Sequence, residues 1–99
     1  MREDRKITLI IAPNRDAAAK TCEGWRLPPS RLRDHGDMRI ITNVDGLRGW
    51  CEGTACIFDF ALFGRDDVRL KDLTKRLLAS GRLRRPRENE LRELRGEMV

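Results

Sequence analysis

Thr42, Asn43, Asp45 and Arg48 crowd one short polar turn, "TNVDGLRG", between two apolar runs. Hydroxyl and amide groups hold an anion through single hydrogen bonds, and a guanidinium holds one through a charged fork that matches phosphate or carboxylate. A second set with the same chemistry follows in "GRDDVRLKDLTKRLLASGRL", where Arg65, Arg69 and Arg76 recur among leucines. Residues 61–85 hold eight basic side chains against three acidic ones, so the whole formal excess of +5 belongs to that quarter of the chain. Such a segment attracts phosphate, nucleic acid or an acidic protein. It is also the composition of a solvated helix face.

Catalysis needs more than anion contacts, and the remaining reactive residues do not assemble it. No G-x-x-x-x-G-K-[ST] loop and no G-x-G-x-x-G turn is present, so neither a triphosphate nor a dinucleotide has its cradle. Asp59 ends the apolar run "ACIFD" and reads as a cap or strand-end residue. Cys22, His35, Cys51 and Cys56 form a C-x₁₂-H-x₁₅-C-x₄-C pattern that fits no common zinc knuckle. The cysteines read instead as small buried hydrophobes. Cys51 beside Arg48 is a loop thiol, but His35 is the only histidine and no base stands near it in a triad pattern. No catalytic residue, cofactor or metal site is assigned.

The elements that must position these groups follow from periodicity and breakers. "KITLIIAP" is a continuous β-branched run, the mark of a strand covered on both faces. Asn14 caps a helix over 15–25 whose stripe is Ala18, Cys22 and Trp25. "MRIIT" is a second strand, "NVDGLRG" one helical turn capped by Asn43, and "TACIFDFALF" a third strand. The clearest helix follows, capped by Asp66 or Asp67 and buried along Leu70, Leu73, Leu77 and Leu78, with Ser80-Gly81 closing it. "RLRR" adds a short edge strand, and Pro86 separates a helical tail with Leu91, Leu94 and Met98 on one face.

Alternating strands and helices predict a small three-layer α/β domain, with a parallel sheet of three to four strands, flanking helices and a C-terminal helix. The division is an α/β domain over 1–85 and an amphipathic tail over 86–99. In such sheets ligands bind at the carboxyl ends of the strands. That rim would be built from Asn14 and Arg15, from Thr42, Asn43 and Asp45, and from 59–65. Asn14 and Asn43 read first as helix caps and nothing more.

At "IITNVDGLRGW" the chain resembles the fifth conserved motif of superfamily 2 helicases, an apolar pair, a Thr-Asp and then Arg-Gly. Thr42, Arg48 and Gly49 keep the motif's spacing, and Asn43 stands where the acid would be. "TLIIAPNRDAAAKTCEGW" is similar to the strand and helix that open the second RecA-like half of that family, and "ACIFDF" to its next strand. The resemblance implies a RecA-like, Rossmann-like fold, with Thr42 against nucleic-acid backbone and Arg48-Gly49 lining a nucleotide cleft. The family's first half and its arginine-finger motif have no counterpart here, so helicase activity is not implied.

The leading expectation is a non-enzymatic interaction protein that binds a host or cognate protein through Trp50 and the Leu91, Leu94 and Met98 edge of the tail. The alternative is a nucleic-acid-binding module using Asn14, Arg15, Thr42, Asn43, Arg48, Arg65, Arg69 and Arg76. A homodimer covering an edge strand is a further expectation. Arginine outnumbers lysine 17 to 4, the codon bias of a G+C-rich genome, and an accessory protein of an actinobacterium or its phage would fit. With three cysteines and no long apolar segment, a cytoplasmic location without a membrane partner is expected.

Overall fold

A computed structural model describes residues 7–27, 38–50 and 52–95. The apolar run at its start becomes β1 (Thr8–Ile11), and all four of its residues are buried, so both faces of the strand are covered. β1 sits inside the sheet. It pairs in parallel with β2 (Met38–Ile41), Thr8 opposite Met38, and with β3 (Thr54–Phe58), Thr8 opposite Ala55. The two-residue β4 (Leu83–Arg84) lies parallel to Thr54 and Ala55, which gives the order β2-β1-β3-β4.

Strand alternation divides the core into two layers. Ile10, Met38 and Ile57 face one way, packed with Ala18 and Cys22 of α1 (Arg15–Gly24) and with Leu91 and Leu94 of α4 (Glu88–Arg95). Leu9, Ile11, Ile41 and Cys56 face the other way, under Leu47 of α2 (Val44–Leu47) and Leu70 of α3 (Val68–Ala79). The chain steps from β1 to β2 in one direction and from β3 to β4 in the other. Crossovers of one hand then require the linking helices to lie on opposite faces, as α1 and α3 do. The fold is a three-layer α/β domain on a four-stranded parallel sheet, as the sequence predicts.

Short-range chemistry explains most element ends. Asn14 caps α1, its Oδ1 accepting the Ala17 N–H at 2.8 Å. At the other end Leu27 N–H donates to Cys22 O and Arg26 N–H to Glu23 O, a Schellman closure that leaves Arg26 at φ 60. The buried hydroxyls of Thr21 and Thr74 each donate to the carbonyl four residues back, at 2.8 Å, so neither is left unpaired in its core.

Two expectations need correction here. β3 stops at Phe58 instead of running to 63, because Asp59 accepts the Ala61 N–H at 3.0 Å and opens a 3-10 turn over Phe60–Leu62. Neither aspartate caps α3 through its side chain. Asp67 Oδ2 accepts the Gly64 N–H at 2.8 Å, closing a second 3-10 turn, Arg65–Asp67, that runs directly into α3.

The tail docks on its own domain. Arg84 on β4 grips Glu90 with two parallel hydrogen bonds of 2.7 Å, and the Arg87 N–H donates to the same carboxylate. At the far end of α4, Arg95 Nη2 donates to Trp25 O at 3.0 Å, tying α4 to α1. Leu91 and Leu94, each 6% exposed, are therefore core residues and not a surface offered to a partner. Met98 lies outside the described residues. Among the described residues, no helix is long and apolar enough to cross a membrane.

Candidate functional site

α2 and α3 lie side by side on one face of the sheet, and a groove opens between them. Its upper part, a recess of about 640 Å³, begins at the carboxyl ends of the strands and is lined by Asn43, Asp45, Arg48, Arg69, Asp72 and Arg76. A second recess of about 340 Å³ continues it along the same face, floored by Leu47, Leu73, Leu77 and Leu83 and bordered by Trp50 and Arg82. Arg48 and Leu73 line both.

The arginines reach this groove for simple reasons. Arg69 and Arg76 stand two helical turns apart on α3, with Leu73 between them on the same flank. Arg48 ends α2, and Gly49 follows at φ 86, a left-handed position where a glycine lets the chain turn out of the helix without strain. Trp50 then folds back, its indole N–H donating to Gly46 O at 2.9 Å, which pins the α2 turn. The Arg39 guanidinium of β2 lies 5.4 Å from the centre of the Trp50 ring, a cation–π contact. Its Nε is buried with no hydrogen-bond partner among the described residues.

Electrostatically the groove is open. Arg48, Arg69, Arg76 and Arg82 are exposed. Among the described residues, none of these guanidinium groups is in an ion pair or a side-chain hydrogen bond. Asp45 and Asp72 share the lining but neutralise no arginine by contact. Four cations against two carboxylates on a concave surface leave a net positive field.

Of the residues picked out in the sequence, the fold gathers Asn43, Arg48, Arg69, Arg76 and Trp50 along this groove. Asn43 contributes as a cap, its Oδ1 accepting the Gly46 N–H at 2.7 Å. Asn14 and Arg15 stand at the start of α1, which covers the opposite face, and Asn14 is likewise a cap. Thr42 and Arg65 do not line the groove.

Sequence reasoning missed a second feature on the other flank of α3. Phe58 and Phe60 stack with ring centroids 4.5 Å apart, and Phe63 meets Phe60 edge-on at 5.2 Å. Lys71 and Lys75 place their ammonium groups 5.5 and 5.7 Å from the Phe60 centroid, and Arg85 lies 5.9 Å from that of Phe58. The signal was present as three phenylalanines within six residues, but it is hidden when 54–63 is read as one strand.

The two thiols among the described residues offer no reactive site. Burial pushes Cys22 up to about 11, and pushes Cys56 up to about 12 against the opposing pull of Arg85 and Arg84. The two lie in different core layers, on opposite faces of the sheet, so they cannot ligate one metal ion. His35 and Cys51 lie outside the described residues. No known protein family, curated protein or solved structure matches the chain.

Proposed function

We propose that the protein is a non-enzymatic binding module, that its working surface is the arginine groove between α2 and α3, and that its ligand is the phosphate backbone of nucleic acid. The observation that carries this reading is the set of guanidinium groups of Arg48, Arg69, Arg76 and Arg82, exposed around one concave surface and unpaired among the described residues. Cations used for solubility alone gain nothing from lying together, since like charges repel. Arranged along a groove, they match a repeating row of phosphates, which arginine binds through paired N–H groups. Of the features that favoured a protein partner, the tail leucines Leu91 and Leu94 lie in the core.

A second reading keeps the protein partner, with an acidic amphipathic segment in place of nucleic acid. It is favoured by the apolar floor of Leu47, Leu73, Leu77 and Leu83, which phosphates do not need.

Fluorescence anisotropy with labelled single-stranded and duplex oligonucleotides separates the two. About four phosphate contacts give affinity that falls roughly fiftyfold or more between about 50 and 200 mM salt. Arg76→Ala should weaken binding and flatten the salt dependence by about one phosphate contact. Absence of binding at the lower salt, with capture of a polyglutamate probe instead, would move the assignment to the acidic segment.

A further inference from the structure

We infer that Phe58, Phe60 and Phe63 form a base-stacking platform for single-stranded nucleic acid, with Lys71, Lys75 and Arg85 as its phosphate contacts. This inference rests on the nucleic-acid reading of the neighbouring groove and specifies which form of nucleic acid the protein takes.

Phe58 and Phe63 pack partly against the core layer under α3, but Phe60 packs against neither core layer. Its ring is partly exposed, held by its two aromatic neighbours, the first stacked at 4.5 Å and the second edge-on at 5.2 Å. Phe58 stacks on this ring, and the ammonium groups of Lys71 and Lys75 lie over it at the ends of long flexible side chains, which an incoming base displaces to take the face.

The charges around that face define the ligand further. Lys71 and Lys75, one turn apart on α3, both point at the Phe60 ring, and Arg85 lies over Phe58. Among the described residues, none of the three is in an ion pair. Two ammonium groups on one ring repel each other, and an anion arriving between them relieves that repulsion. Aromatic rings with unpaired cations over them match a nucleotide, whose phosphate draws the amines aside while its base stacks in their place.

The geometry also selects among nucleic acids. In a duplex the base faces are stacked on one another and cannot reach a protein ring, so only a single strand uses this platform. An acidic peptide satisfies the cations and leaves the rings without purpose. Lys71 and Lys75 flank α3 on one side, while Arg69 and Arg76 line the groove on the other. α3 is thus a ridge with a cationic strip on each side, and one short strand lying across it touches both.

The test is titration of the full chain with oligothymidylate, an abasic strand of equal length, a duplex and polyglutamate. Oligothymidylate should bind tightest, and Phe60→Leu should weaken it about five- to hundredfold while leaving duplex affinity unchanged. Circular dichroism reports whether that variant is folded. A 5-iodouracil strand photocrosslinked to the wild-type protein gives an independent readout, with the adduct expected on the 58–63 peptide. Equal affinity for abasic and oligothymidylate strands, or crosslinks only elsewhere, overturns the platform. If single strand and duplex then bind alike and both weaken in Arg76→Ala, the groove reading survives without it. If only polyglutamate binds, both fall.

Discussion

Among the described residues, Glu90 is a carboxylate whose ionisation is tied to the fold. The hydrogen bonds of Arg84, aided by the Arg87 N–H, hold its carboxyl down to about 2 from an ordinary value of 4.5. A carboxyl depressed in the folded state stabilises above its unfolded value and loses that contribution as pH falls through the folded one. The clip is therefore complete above about pH 4.5 and dissolves between there and about 2. Glu90→Gln should cost about 1–2 kcal/mol at neutral pH. The variant and wild type should converge in thermal melts below about pH 2, where both carry a neutral group. A constant gap across that range would mean that the charge is not what Arg84 holds. The same residue shows what a sequence conceals. Glu90 is unremarkable among the four acids of 86–99, and only the arrival of β4 beside α4 gives it a partner six positions away.

At the scale of elements, α4 decides whether one face of the sheet is covered. Leu91 and Leu94 join Ile10, Met38 and Ile57 in that layer, so Leu94→Ala should cost about 2–4 kcal/mol. A denaturant titration with unchanged m-value would show that the loss is packing and not a change in the unfolded chain. A cost below about 0.5 kcal/mol, the level of an ordinary surface site, would mean that the tail is not docked in solution. The periodicity of "NELREL" made this helix legible, as the β-branched run made β1 legible and Asn14 made the start of α1 legible. Each is a local rule acting on adjacent residues. What stayed illegible was local competition: Asp59 and Asp67 spend their carboxylates on 3-10 turns, which shortens β3 and leaves α3 without a side-chain cap. The groove was half legible for the same reason. Arg48, Arg69 and Arg76 could be named as anion contacts, but their meeting depends on α2 and α3 lying side by side.

The described residues form two core layers divided by one sheet, and each layer holds one of the two described thiols. Cys22 reports on the α1–α4 side and Cys56 on the α2–α3 side, both fully buried and both pushed well above the usual thiol range. In a Cys51→Ser background, a thiol reagent should modify both at one slow rate that rises together with denaturant, because neither layer opens without losing β1 from the other. Unequal rates would show that the layers unfold separately. The docking of α4 also imposes an order on synthesis. Residues 88–95 close a layer begun at Ile10, so a nascent chain that has not yet extruded them carries a sheet with an open apolar flank. Stalling or proteolysis near Pro86 should release a sticky, chaperone-dependent species, even though every residue of the groove-side layer has by then been synthesised.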